Sequence, residues 1–115
     1  MNNSIFFAGD TLLASKNGLG NIVSDSLRGL FLESDAVCVN LETVLIEGCS
    51  GSQKAFNIST PPNNVKFLRE NNIGIVNIAN NHSCDFGNKG REFTENVLSK
   101  ENIKIIGAST SNRLF

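Results

Sequence analysis

Residues 75–87 read IVNIANNHSCDFG, an apolar and β-branched run that ends in amides, the one histidine of the chain and an acid. The apolar part predicts a buried β-strand, because a strand covered on both faces shows little alternation with polar residues. The polar part then lies at the carboxyl end of that strand. In an open α/β sheet this edge is where ligands bind, so the stretch predicts both a fold and the place of a site.

Composition narrows the class of protein. The chain has 115 residues, enough for one domain, and 40% of them are hydrophobic. Ten basic and 11 acidic residues give a net charge of −1. The basic residues are scattered singly, which argues against nucleic-acid binding.

The three cysteines, Cys38, Cys49 and Cys84, match neither a zinc spacing nor a disulfide framework. They are therefore predicted to be reduced thiols.

The N-terminal residues carry no targeting signal. No basic segment precedes the apolar run at residues 5–8, and that run is too short for a signal peptide. No apolar run approaches the length of a membrane span. As written, the chain is therefore predicted to be cytoplasmic, with no membrane segment.

Strand and helix patterns alternate along the chain. Strands are predicted at residues 4–8, 36–39, 74–78 and 103–106, with shorter extended segments at 43–46 and 55–58. Helices are predicted from Ile22 to about Glu33 with Asn21 as N-cap, and from Pro61 to Asn71. A turn at residues 87–90 is predicted to lead into a further helix with Phe93, Val97 and Leu98 facing inward. This order predicts an α/β fold with a mostly parallel sheet flanked by helices.

A Gly-rich loop at residues 16–21, KNGLGN, invites comparison with a dinucleotide-binding turn. It lacks a third glycine at the required spacing and lies too far after the first strand. An unrelated nucleotide-binding α/β domain therefore remains the least favoured hypothesis. Nucleotide titration with Gly18 and Gly20 replaced would test it.

Polar side chains follow three of the predicted strands. Asp10 follows the first, Glu42 the second, and the Asn80-Asn81-His82 set with Asp85 the third. Two carboxylates, an amide oxygen and an imidazole suit a divalent cation such as Mn²⁺ or Mg²⁺, or Fe²⁺ or Zn²⁺. The imidazole could coordinate the cation or protonate a leaving group.

Each of these residues also has a purely structural interpretation. Asp10 could belong to an ordinary turn, Glu42 could be a solvated acid, and the asparagines could cap turns. A lone histidine is more often structural than catalytic, and Asp85 could brace the loop or bond His82. The combination at three successive strand ends keeps a metal or phosphate site as a hypothesis beside this interpretation.

Three motifs resemble those of the bacterial capsule-synthesis CapA/PgsA family. They are GDTLL at residues 9–13, DAVCVNLET at 35–43 and ANNHSCDFG at 79–87, and residues 90, 94, 98 and 103–107 keep to the same pattern. That family is associated with capsule and poly-γ-glutamate synthesis or export. Its domain is similar to the calcineurin-like metallophosphoesterases, so the resemblance implies the N-terminal half of a metallophosphoesterase-like α/β sandwich.

The resemblance also implies roles for individual residues. Asp10, Glu42 and Asn81 would bind a divalent metal. His82 and Asp85 would be catalytic, with His82 facing the scissile phosphate or the leaving group. The substrate would be an anionic or phosphate-containing small molecule or polymer. Family members are often membrane-associated or extracytoplasmic, in contrast to the location predicted above.

The chain departs from the family pattern in its length and its histidine content. A family domain is longer, and its second half brings a histidine-rich motif, whereas this chain has one histidine. The site would then be short of ligands, and an apolar sheet face would stay uncovered. We therefore expect residues 1–115 to be a single partial domain lacking the C-terminal half, weakly active or inactive alone. A non-catalytic partial module that needs a partner chain is the alternative.

Overall fold

A four-stranded parallel sheet forms the centre of the fold. The computed structural model describes residues 3–13, 22–47 and 57–107. The elements are β1 (Ile5–Thr11), α1 (Asp25–Glu33), β2 (Ala36–Leu41), β3 (Val44–Leu45), β4 (Ser59–Thr60), α2 (Val65–Glu70), β5 (Ile73–Asn77), α3 (Gly87–Lys100) and β6 (Lys104–Ile106). Among the described residues the main sheet has the order β1-β2-β5-β6, and β3 pairs with β4 separately. All of these pairs are parallel, which confirms the predicted α/β class.

One face of the main sheet contributes to the hydrophobic core beneath the helices. Val39, Val76 and Ile105 are register partners on β2, β5 and β6 and lie on this face. Beside them, Phe6 of β1 meets Phe31 of α1 edge to face, with ring centroids 5.2 Å apart. The core further includes Leu13, Val37, Leu41, Leu45, Val65, Phe67, Leu68, Ile73, Ile78, Leu98 and Ile103. Burial of this apolar surface holds the helices on the sheet.

The opposite face of the sheet exposes apolar side chains on its outer strands. Phe7, Cys38 and Ile75 are register partners across β1, β2 and β5 and lie on this face. Phe7 is 75% exposed, and Ile106 on β6 is 53% exposed. Large apolar side chains grouped on one exposed face are typical of a surface that packs against further protein.

The first helix begins later than the sequence pattern predicts. The predicted start was Ile22 with Asn21 as N-cap, whereas α1 starts at Asp25 with Ser24 as its N-cap. Ser24 Oγ accepts a hydrogen bond of 3.3 Å from the backbone N–H of Leu27. A serine cap followed by an acid in the first turn favours this start. Asn21 lies outside the described residues.

Other boundaries also differ from the predicted ones. β1 and β2 extend to Thr11 and Leu41, beyond the predicted ends at residues 8 and 39. The predicted segment at 43–46 becomes β3 in the small sheet, and the strand expected at 55–58 lies instead at Ser59–Thr60. A 3₁₀ turn at Pro62–Asn64 precedes α2. Residues 16–21 and 55–56 lie outside the described ranges, so the Gly-rich loop is not described.

Candidate functional site

Polar side chains from three adjacent strands lie together near the carboxyl edge of the sheet. Asp10 of β1 is the register partner of Asn40 in β2, and Asn40 is the register partner of Asn77 in β5. The β1–β2 register shifts between Phe7 and Asp10. Such an irregularity re-aims a side chain, and here it places Asp10 opposite Asn40.

The Asn40 amide joins the two acids predicted to bind metal. Its Nδ2 donates to Asp10 Oδ1 at 2.8 Å and to Glu42 Oε1 at 3.1 Å. Its Oδ1 accepts from Asn77 Nδ2 at 2.9 Å and from Asn80 Nδ2 at 3.1 Å. Both carboxylates therefore lie within hydrogen-bond distance of one nitrogen atom.

The two asparagines that donate to Asn40 are themselves held by the backbone. Asn77 Oδ1 accepts from the N–H of Ala79 at 3.2 Å. Asn80 Oδ1 accepts from the N–H of His82 at 3.1 Å, and Asn80 Nδ2 donates to the carbonyl of Leu41 at 2.8 Å. Because a backbone N–H only donates and a carbonyl only accepts, these bonds fix which way each amide faces.

His82 is held by a buried carboxylate. Its Nδ1 lies 2.7 Å from Asp85 Oδ2; the Asp85 side chain has no exposed surface and that of His82 is 15% exposed. The same oxygen accepts from the N–H of Ile58 at 2.7 Å. A carboxylate oxygen only accepts, so Nδ1 carries the proton and Nε2 is the nitrogen left for a ligand. The two structural roles left open for Asp85, bracing a loop and bonding His82, are both present.

A series of tight turns shapes the segment between β5 and α3. The N–H of Asp85 donates to the carbonyl of His82 at 3.1 Å, and the N–H of Gly87 donates to that of Cys84 at 2.9 Å. Gly87 has φ +72°, a left-handed conformation that glycine adopts without strain, and α3 starts there. These turns bring His82 and Asp85, three residues apart, into contact.

The structure brings together some of the predicted site residues and not others. Asp10 and Glu42 meet at Asn40. The backbone N–H of His82 is linked to Asn40 through the Asn80 side chain, whereas the His82 ring contacts Asp85. The prediction chose Asn81 over Asn80 as the metal-binding amide; Asn81 is exposed, and its metal role stays a prediction.

Sequence reasoning did not assign a role to Asn40 or Asn77. The signal that could have found them is that each is a polar residue at or near the end of an otherwise apolar strand. Their register with Asp10 then follows from the parallel sheet.

The carboxylates of the site are suitable ligands for a hard divalent cation, but there are too few of them to complete its coordination. Carboxylate oxygens of Asp10 and Glu42 are the ligands that Mn²⁺ and Mg²⁺ prefer. In the part of the chain that the structure describes, no three His, Cys, Asp or Glu side chains lie close enough to hold one ion. A divalent cation here would need donors beyond these two carboxylates.

A parallel α/β sheet with acids, amides and an Asn-His turn at its carboxyl edge defines the class of this protein. It is an α/β domain with a polar site at the ends of its strands. The family model described as "Bacterial capsule synthesis protein PGA_cap" matches residues 4–114, and the chain belongs to this family. The family resemblance seen in the three motifs is thereby confirmed, and an unrelated α/β domain is excluded.

Two curated relatives are similar to part of the chain. The PGA biosynthesis protein CapA of Bacillus subtilis (strain 168) is 32% identical over 84 residues, covering 71% of this chain and 22% of the relative. The capsule biosynthesis protein CapA of Bacillus anthracis is 34% identical over 79 residues, covering 65% of this chain and 19% of the relative. The matched region is thus about a fifth of each relative's length. Within the described residues, no helix is long and apolar enough to cross a membrane.

Proposed function

We propose that this chain supplies the strand-end half of a metallophosphoesterase-type site that acts in capsule or poly-γ-glutamate biosynthesis. One observation carries the proposal: the carboxylates of Asp10 and Glu42 accept from the same Asn40 nitrogen at 2.8 and 3.1 Å. Two carboxylates this close together repel each other. A divalent cation bound between them would be attracted to both, and carboxylate oxygens are ligands that such cations prefer. The family match supports the biosynthetic setting.

The residues of the site have distinct proposed roles. Asp10, Glu42 and Asn81 are the proposed ligands of a divalent cation, Mn²⁺, Mg²⁺, Fe²⁺ or Zn²⁺. When bound, such a cation polarises a phosphoryl oxygen and lowers the pKa of a bound water. With both ring nitrogens protonated, His82 would present its Nε2–H to the leaving group or phosphate and donate that proton there, leaving the proton on Nδ1 in place. Asp85 holds His82 in the tautomer that leaves Nε2 available, through the 2.7 Å contact at Nδ1.

The proposed substrate is an anionic or phosphate-containing small molecule or polymer. Its charge would be met by the bound cation and by the His82 imidazole when protonated, since the lysines and arginines are scattered singly along the sequence. We infer that the chain alone is weakly active or inactive, because too few ligands converge on one point in its described part.

A second layer of protein, either a further part of a longer chain or a separate one, is the proposed partner. Phe7 and Ile106 lie on the sheet face that also carries Asp10, Asn40 and Asn77. A layer that covers these apolar side chains would therefore also border the polar site and could add ligands to it. The cytoplasmic location expected from the sequence stays a prediction.

We expect Mn²⁺ to bind weakly and through both acids. Asp10→Asn and Glu42→Gln each remove one carboxylate, and each is expected to weaken Mn²⁺ binding by about tenfold or more, since a neutral amide is a poorer ligand. Binding is measured by titration with Mn²⁺ followed by electron paramagnetic resonance.

The control for this titration is Glu33→Gln, which changes an exposed acid at the end of α1 by the same single charge. This variant is expected to bind Mn²⁺ like the unchanged protein. Equal affinities in all four proteins would overturn the proposal. That outcome would favour the second candidate, a non-catalytic module whose exposed apolar sheet face binds a partner chain.

A further inference from the structure

Asn40 has no role in the proposed chemistry, yet its side chain lies at the centre of the site. It is half-buried, its Nδ2 donates to two carboxylates and its Oδ1 accepts from two other amides. All four partners are side chains: Asp10 lies in β1, Glu42 directly follows β2, Asn77 lies in β5 and Asn80 lies in the loop after β5. An amide engaged on every side is a candidate for holding its neighbours in place.

The orientation of this amide is dictated from outside the site. The Asn80 oxygen accepts from the N–H of His82, and its NH₂ donates to the carbonyl of Leu41. These two bonds fix the amide so that the NH₂ also donates to the Asn40 oxygen. Asn77 is fixed in the same sense by the N–H of Ala79. Two backbone-anchored NH₂ groups therefore meet Asn40 at its oxygen, and the Asn40 NH₂ is turned toward the acids.

An NH₂ group in this place affects the acids in a specific way. It offers one hydrogen to each carboxylate, and hydrogen bonds to charged acceptors are stronger than those between neutral groups. It also sets positive hydrogens between two negative groups, which offsets their mutual repulsion. An N–H cannot ligate a cation, so in this orientation Asn40 acts on the cation only through the acids.

We propose that Asn40 is a positioning residue, whose NH₂ holds the Asp10 and Glu42 carboxylates at one point of the sheet edge for a shared divalent cation. The consequence for the cation rests on the proposed function. The positioning itself does not, because it concerns the protein without metal.

The first test uses the metal-free protein and the side-chain NH₂ signals of ¹⁵N-labelled asparagines. The Asn40 pair is identified by its loss in Asn40→Asp. Asp10→Asn and Glu42→Gln are each expected to shift that pair, because each removes a charged acceptor from it. The NH₂ of Asn71, which donates to the carbonyl of Phe67 at 2.9 Å, serves as the unaffected reference. An Asn40 pair that neither variant shifts would overturn the proposal.

The second test asks whether Asn40 acts through the acids. Asn40→Leu is expected to weaken Mn²⁺ binding about tenfold in the unchanged background, because a charge-assisted hydrogen bond to each ligand is lost. In Asp10→Asn, where one of the positioned carboxylates is already missing, the same change is expected to weaken binding by about threefold or less. An equal factor in both backgrounds, the behaviour of an independent ligand, would overturn the proposal, as would no loss at all.

Asn71→Leu is the matched control for a general effect on folding, since it removes a buried amide that, among the described residues, donates to the carbonyl of Phe67 within α2. It is expected to lower stability and leave Mn²⁺ affinity unchanged. If the unchanged protein binds no Mn²⁺, the proposed function fails, and the metal-free NH₂ signals alone decide the positioning role. The NH₂ signals also decide the positioning role if Asn40→Leu does not fold. That measurement uses Asp10→Asn, which changes an exposed acid and is expected to fold.

Discussion

Replacing Asp85 by alanine is expected to lower the free energy of unfolding by about 3–5 kcal/mol. Asp85 is fully buried, and one of its oxygens accepts from both His82 Nδ1 and the N–H of Ile58, each at 2.7 Å. Alanine leaves the N–H of Ile58 without this acceptor and opens a cavity where the carboxylate was. The measurement is urea denaturation followed by circular dichroism.

Asp35→Ala provides the comparison for this loss. Asp35 is an exposed acid whose Oδ2 also accepts from a backbone N–H, that of Ser4 at 2.6 Å. Water can replace that bond, so we expect a much smaller change in stability. Asp85→Asn should fall between the two alanine variants, since an amide oxygen can still accept from Ile58 and His82. If Asp85→Ala costs no more than Asp35→Ala, Asp85 does not hold this loop.

Replacing Asn80 by leucine is expected to lower the free energy of unfolding by about 2–4 kcal/mol. Three groups lose a partner at once: the carbonyl of Leu41, the N–H of His82 and the Asn40 oxygen. The change also removes the side chain that links Asn40, and through it the two acids, to the backbone N–H of His82. Chemical denaturation gives the stability, and the His82 ring signals in NMR spectra report whether that side chain moves.

The neighbouring Asn81→Leu is the matched control, with the same substitution one residue further along the chain. Asn81 is exposed where Asn80 is half-buried, so its replacement is expected to disturb stability far less. A loss at Asn81 equal to that at Asn80 would show that the turn, and not the specific Asn80 bonds, is what the structure needs.

The sheet could be predicted because its signal is local. The apolar runs at 36–39 and 74–78 are too continuous for half-exposed strands, and helical spacing separates them, which indicates parallel pairing. The small β3–β4 sheet could not be predicted in this way. Each of its strands has two residues, which is too short for a recognisable pattern, and the two strands are far apart in the sequence.

The candidate site could be predicted only in outline. Parallel strands put their carboxyl ends at one edge, so the meeting of Asp10 and Glu42 follows from the fold class. The choice between Asn80 and Asn81 does not follow, because the carbonyl that fixes Asn80 belongs to Leu41, far away in sequence. The shift of register before Asp10 likewise arises from pairing between strands, which no single stretch of sequence reports.

Asp10 and Glu42 are proposed to share one cation, and the position of bound Mn²⁺ tests this most directly. Mn²⁺ broadens the NMR signals of nearby nuclei, so substoichiometric Mn²⁺ maps where the ion sits. We expect the side-chain NH₂ signals of the proposed ligand Asn81 and of Asn40, Asn77 and Asn80 to broaden first, and Asp10→Asn to abolish that pattern. Broadening centred on the acids of α3, or spread evenly over the acidic surface, would contradict a cation site at this edge of the sheet.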